Sequence, residues 1–254
     1  MSNIYGLTAV PAFATTLLTA TPAYPAPTTP PTAIPITETA VPHTALAHRI
    51  GVYARSHLPK PTYNHSRRVY HYGLAIKRYR FPFADWAFDD ETFFVACLLH
   101  DIGTTDENLH KTGLSFEFFG GFLALKILGE GEPEPESGVL GGAGGAALAP
   151  LQQAESVAEA ILRHQDLCSV GRITALGQLL QLATIFDNTG AFADLVHADT
   201  IKDVSTHFPR MQWSSCFSST IQQEIDLKPW AHSTALGDEF KVKVLGNELM
   251  KPYE

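Results

Sequence analysis

The sequence predicts an all-α protein, with one helical domain over residues 45–254 and an extended, proline-rich arm over residues 1–44. Three observations predict it. Apolar residues recur at steps of three and four through most of the chain beyond residue 60, the spacing of one helical face. No strand–helix–strand alternation and no internal repeat is present. Pro, Thr and Ala dominate from about 8 to 44, as in Tyr24-Pro-Ala-Pro-Thr-Thr-Pro-Pro-Thr32. Proline lacks an N–H and holds φ fixed, so this stretch is expected to run extended, as an arm and not a packed element.

Over 63–80, His65, Val69, Tyr72 and Ile76 fall on one helical face. Over 92–100, the run Phe93-Phe-Val-Ala-Cys-Leu-Leu99 leads into His100-Asp-Ile-Gly103. Periodicity alone would also suit a strand there, and Gly103 is placed to end a helix. Ser115 is expected to cap a helix over 115–128 with Phe116, Phe119, Leu123 and Ile127 as its buried stripe. The Gly-, Pro- and Glu-rich stretch 129–150 reads as a flexible surface loop. Two helices follow: 153–165 with Val157, Ala160, Ile161 and His164 on one face, and 174–187 with Leu176, Leu180, Ala183 and Asp187. From 200 to 237 the pattern weakens, and Pro209, Trp213, Pro229 and Trp230 suggest irregular packing. A last amphipathic piece covers 237–250.

Composition excludes several classes. A chain of 254 residues that is 45% hydrophobic and 17% charged can bury a sizeable core. The net charge of -8, with no run of Lys and Arg longer than Arg67-Arg68, argues against a nucleic-acid partner. Three scattered cysteines, Cys97, Cys168 and Cys216, make neither a disulfide framework nor a zinc-thiolate site, and fit a reducing, cytoplasmic compartment. Residues 1–37 carry no charged side chain, but Pro11 and Pro22 interrupt them. They fall short of the roughly 20 apolar residues of a membrane span and lack the basic start of a signal peptide.

The chemistry concentrates at His100-Asp101. Adjacent residues on a helix point about 100° apart, but at a helix end both can face one site. His65 and Asp187 each place a polar group at the core-facing position of an apolar stripe. Buried carboxylates are costly unless paired or metal-bound. His65, His100, Asp101 and Asp187 are therefore the candidate ligands of one divalent cation, and imidazole with carboxylate suits Zn, Fe or Mn.

The order His, His-Asp, Asp, each on a helix, resembles the HD superfamily. Further motifs resemble the fungal cyanamide hydratases within it: Asn64-His-Ser-Arg-Arg-Val-Tyr70, Cys97-Leu-Leu-His-Asp-Ile-Gly-Thr104, Ser115-Phe-Glu-Phe-Phe-Gly-Gly121, Ala158-Glu-Ala-Ile-Leu-Arg-His164 and Leu176-Gly-Gln-Leu-Leu-Gln-Leu-Ala-Thr-Ile-Phe-Asp-Asn188. Gly6-Leu-Thr-Ala-Val-Pro11, Phe208-Pro-Arg210, Lys228-Pro-Trp230 with His232 and Thr234, and Leu249-Met-Lys-Pro252 extend the likeness to both ends. The resemblance implies an HD-type helical bundle, a zinc ion (or another divalent metal such as ferrous iron) on those four residues, and hydration of the cyanamide nitrile to urea. Glu117, His164 and Asp166 are the titratable candidates for moving protons, and Asn188 and Thr105 for binding the substrate amine. The partners expected are small-molecule cyanamide and further copies of the chain in a homo-oligomer, with no nucleic acid and no membrane.

Two other readings compete. HD phosphohydrolases acting on nucleotides often carry a Lys after the His-Asp-x-Gly turn; here Thr104 stands there, followed by Asp106-Glu107, with Lys111 the nearest cation. A helical interaction module with a vestigial site would hold no metal, and the intact set of four candidate ligands argues against it.

Overall fold

The structure, a computed structural model, describes residues 4–19, 24–130 and 147–254. In chain order these form β1 (Ala9–Pro11), α1 (Ala14–Thr19), α2 (Ala45–His57), α3 (Lys60–Arg80), α4 (Asp90–Leu99), α5 (Asp106–Lys111), α6 (Phe116–Glu130), α7 (Leu151–Leu162), β2 (Arg172–Thr174), α8 (Ala175–Thr189), α9 (Ala198–His207), α10 (Trp213–Leu227) and α11 (Asp238–Leu245). Short 3-10 turns cover Ile102–Thr104, Ala193–Leu195, His232–Leu236 and Lys251–Tyr253. The all-α expectation holds, with one antiparallel pair, β1 on β2, as the exception.

The site is carried by α3, α4, α7 and α8. Pro61 in the first turn of α3 needs no hydrogen-bond partner, and Lys77, Arg78 and Arg80 complement the negative end of the helix dipole. His65, Val69, Tyr72 and Ile76 are all buried, as predicted. Residues 92–100 are helical. Asp89 caps α4 by accepting from Thr92 N at 2.8 Å, and every side chain from Thr92 to Leu99 is buried. α4 is wrapped by α2, α3, α7 and α8; a helix covered on all sides has no polar stripe, which is why its periodicity looked ambiguous. Gly73 admits the Phe93 ring where any side chain would collide.

Gly103 acts differently from the expected helix terminator. α4 ends at Leu99, His100 keeps helical angles, and Asp101 turns out at φ -100°, ψ 12°. Gly103 sits in the 3-10 turn, where a Cβ would strike the Phe116 carbonyl. It therefore allows α6 to start against the His-Asp turn. Ser115 does not cap α6 by a side-chain bond either. Its hydroxyl accepts from His232 N at 2.8 Å, and Glu224 from α10 accepts from Phe116 N at 2.6 Å. The buried face of α6 is Phe116, Glu117, Gly120, Gly121, Ala124, Ile127 and Leu128. Phe119 and Leu123 are only half-buried, because the two glycines turn the neighbouring face inward: Gly120 packs on Gly103 and Ile102, and a Cβ at Gly121 would lie 2.6 Å from Leu162 of α7.

The described part of the arm is docked and includes the helix α1, neither of which the sequence reading expected. Val10 and Leu17 join the core, and the carbonyls of Thr8 and Gly6 accept from Ala175 N and Leu176 N, serving the first turn of α8. From 24 to 44 the chain carries no helix or strand. Its carbonyls are taken up by α3: Arg80 donates to Tyr24 O and Pro25 O, Tyr79 to Thr29 O, Arg78 to Glu38 O and Tyr70 to Ala40 O. A proline-rich strand has few donors to offer, so donor side chains hold it. The stretch 200–237 is also more regular than predicted, since α9 and α10 occupy much of it. The buried residues of α10, Trp213, Ser214, Phe217, Ile221 and Glu224, follow helical spacing, but the Ser and Gln residues among them diluted the signal. Most of the expected loop 129–150 lies outside the described residues.

Candidate metal centre

Three side chains converge where α3 meets the end of α4. His65 Nδ1 donates to Asp187 Oδ2 at 2.6 Å, and His100 Nδ1 donates to the Cys97 carbonyl at 2.7 Å. Each partner only accepts, so each neutral ring carries its proton on Nδ1 and presents a bare lone pair at Nε2. Those two Nε2 atoms lie 3.2 Å apart. Asp101 Oδ2, buried and without any hydrogen-bond partner, lies 3.3 Å from His100 Nε2 and 3.7 Å from His65 Nε2. With both rings neutral, three acceptors face one another with no hydrogen between them. A divalent cation resolves that arrangement, and the residues present fit one: their ligand atoms lie within 4.8 Å of one another, as two imidazoles and a carboxylate. Catalytic zinc sites commonly use three protein ligands and leave a position open.

Asp187 is not among the converging atoms. Its carboxylate lies behind His65, where Oδ2 accepts from His65 Nδ1 and from Arg68 Nη2 at 2.9 Å. Its Oδ1 accepts from Arg68 Nε at 3.0 Å and Arg210 Nη1 at 2.7 Å. Both guanidiniums are fully buried. The His65 ring is further fixed by stacking on Trp213, with centroids 4.2 Å apart and planes 13° apart.

The electrostatics follow from burial and these contacts. Burial disfavours the imidazolium of His65 and brings its pKa to about 4, despite Asp187. Burial opposes the charge on His100 too, but adjacent Asp101 outweighs it and its pKa lies above the ordinary value. Against burial, His100, then His65 and His164, hold Asp101 well below the usual carboxylate range. Against burial, Arg68, Arg210 and His65 do the same for Asp187.

A small cavity adjoins the cluster, lined by His100, Asp101 and His164, the polar groups Gln165, Thr184 and Asn188, and an apolar wall that includes Phe217 and Phe240. It offers water centres about 20 Å³, where one water takes about 10–15 Å³. His164 Nδ1 donates to the Ile161 carbonyl at 2.7 Å, which leaves its Nε2 lone pair 3.8 Å from Asp101 Oδ1. Burial, then the charge on His100, lowers its pKa. Asn188 reaches the cavity, with its Oδ1 accepting from Trp213 Nε1 at 2.7 Å.

The other sequence candidates lie further out. Glu117 is fully buried; Oε1 accepts from His232 Nδ1 at 2.6 Å and Oε2 has no partner, but it does not line the cavity. Asp166 is bound to Arg163 at 3.0 Å and accepts from Cys168 Sγ at 2.9 Å. Thr105 caps α5 by accepting from Asn108 N at 3.3 Å, and opens onto a separate surface groove. Sequence reasoning missed Arg68, Arg210, Trp213 and Gln165. Arg68 carried a signal, standing three residues after His65 on the same helical face.

The HD-domain family model matches residues 62–189, a span that holds His65, His100, Asp101 and Asp187. Cyanamide hydratase DDI2 and cyanamide hydratase DDI3 of Saccharomyces cerevisiae are each 42% identical over 206 residues, covering 81% of this chain and 84% of theirs. Among the described residues no helix is long and apolar enough to cross a membrane. With the family model matched over residues 62–189, and with relatives matched over most of both chains, this chain belongs to the HD-domain family, in the branch of the cyanamide hydratases.

Proposed function

We propose that the chain adds water across the nitrile of cyanamide, H₂N–C≡N, to give urea. The observation that carries this is the convergence of His65 Nε2, His100 Nε2 and Asp101 Oδ2, three lone pairs without a hydrogen, beside a narrow cavity with room for little more than one water. A substrate of three heavy atoms suits so narrow a space. The names of the yeast relatives support the same reading.

In this reading His65, His100 and Asp101 hold a divalent cation, zinc by preference and ferrous iron as the alternative. Bound there, the cation supplies Lewis acidity that polarises the nitrile and brings the pKa of water from about 15.7 toward about 7. Asp187 belongs to the site as the carboxylate that fixes the tautomer and angle of His65, as an outer-shell partner does. His164 takes the proton that water loses as its oxygen bonds to the nitrile carbon. It returns that proton to the nitrile nitrogen, and the resulting isourea tautomerises to urea. The Nε2 lone pair and depressed pKa of His164 suit a base that is neutral at pH 7. Glu117, buried nearby, favours the charged form of His164. Asp166 and Asn188 act indirectly, the first by bracing the turn that carries His164, the second by holding Trp213 against His65. Thr105 has a capping role only.

The test is the purified protein, assayed for metal by elemental analysis and for urea release from cyanamide beside a panel of phosphate esters. About one metal per chain and urea release are expected. A metal-loaded protein that releases phosphate from nucleotides and no urea from cyanamide would overturn the reading.

A further inference from the structure

Gln165 is a cavity-wall residue whose amide oxygen the fold leaves unpaired. It follows His164 in the turn after α7, is buried, and lines the cavity with His100, Asp101 and His164. Its Oε1 is buried with no hydrogen-bond partner. Of the other acceptors on the wall, Asn188 Oδ1 accepts from Trp213, while Asp101 Oδ2 and the His164 Nε2 lone pair belong to the chemistry proposed above; the Thr184 hydroxyl donates to Gln181 O at 3.0 Å. An unpaired buried acceptor costs stability. The turn that holds it is nonetheless clamped, since Gln181 Nε2 donates to Arg163 O at 2.8 Å and to Asp166 O at 3.0 Å, while Arg163 and Asp166 pair across it. A rigid turn that presents an unspent amide oxygen suits a ligand bearing N–H groups.

We propose that Gln165 is the specificity residue of this cavity: its Oε1 accepts a hydrogen bond from the amino group of the substrate and so selects an amino-nitrile over a carbon-substituted nitrile of the same size. This rests on the hydratase reading above. Cyanamide and acetonitrile have the same heavy-atom skeleton, H₂N–C≡N against H₃C–C≡N, and differ at the end where Gln165 would act. The bond is present before and after hydration, because urea keeps that amino group.

Gln165→Met tests it, being similar in length and without an acceptor. The ratio of kcat/KM for cyanamide to that for acetonitrile should fall on the order of 10- to 100-fold, with metal content unchanged. The Tm of the metal-free protein should rise by about 2–4 °C, because an unpaired buried acceptor is removed. Urea should raise the Tm of the wild type and not that of the variant. A merely structural glutamine would give the reverse, a lower Tm with an unchanged substrate ratio, and that result or failure to fold overturns the proposal. A wild type that makes no urea, yet is stabilised by it in a Gln165-dependent way, refutes the hydratase reading and leaves the assignment of Gln165 standing. If urea stabilises neither protein, the assignment falls as well.

Discussion

Asp101 and Asp187 are both buried carboxylates within reach of His65, yet they stand in opposite conditions. Asp187 meets two guanidiniums and an imidazole N–H. Asp101 keeps one oxygen that meets no donor. A buried charge with satisfied oxygens belongs to the frame, for removing any of its partners strands the rest. A buried charge left open has a cost that only a bound species offsets. On the proposed reading, the difference separates the part of this site that folds from the part that binds, although in sequence the two aspartates look alike: polar residues at core-facing positions.

The largest effect that sharpens this contrast is on the open side. His100→Ala should remove metal and turnover together, to the uncatalysed background, as read by elemental analysis and urea release. A variant that retains its metal would mean that the converging atoms are not the ligands.

On the closed side, Asp187→Asn should leave most metal in place and cost about 10- to 100-fold in metal affinity, the usual penalty for an outer-shell partner of a ligating histidine. A loss as complete as that of His100→Ala would make Asp187 a ligand and erase the distinction. Arg210→Met should lower stability by about 3–5 kcal/mol in denaturant unfolding, because it leaves a fully buried carboxylate short of one guanidinium.

A milder effect lies away from both aspartates. His71 is buried, its Nδ1 lies 2.7 Å from Thr39 Oγ1, and its ring stacks on Phe208. Burial, then Arg67 and His207, lowers its pKa from 6.5 to about 3. Between those values the unfolded chain binds more protons than the folded one, so stability falls as pH drops below about 6.5 and levels off near 3. His71→Phe should flatten that part of the profile in urea unfolding at a series of pH values. An unchanged slope would assign the acid sensitivity to other groups, such as His65 with its pKa of about 4.

What was legible follows from where polarity interrupts periodicity. His65 and Asp187 stood out because each extended an apolar stripe, and His100-Asp101 because it ended an apolar run before a glycine. Arg68 shares the face of His65 but counted only as half of the basic pair Arg67-Arg68, since nothing local says that an arginine is buried. Arg210 lies between α9 and α10, where no period exists to break. Trp213 read as irregular packing because its contact with His65 joins elements about 150 residues apart. The docking of the arm was illegible for a related reason: proline predicts extension, while the donors that hold the arm reside on α3. Thr105 and Asp166 show the opposite error. Each lies close in sequence to a site residue, but the chain turns between them, so nearness along the chain did not become nearness to the cavity.

Thr105 gives the smallest and most discriminating test of that last point. Its hydroxyl accepts from Asn108 N at the first turn of α5, and the residue lines the groove with Asp106, Glu107 and Lys111, not the cavity of His100 and His164. A threonine N-cap contributes about 1 kcal/mol, and α5 is a single short helix of six residues. Thr105→Ala should therefore lower unfolding stability by about 1 kcal/mol and leave kcat and KM for cyanamide within about twofold of the wild type, a change of under roughly 0.5 kcal/mol. Thr105→Asp, which restores a capping acceptor and favours the positive end of the helix dipole, should recover the lost stability. A rise in KM of tenfold or more in Thr105→Ala, at unchanged stability, would instead place the hydroxyl on the substrate amine, and the boundary drawn here between the cavity and the turn that follows it would have to move.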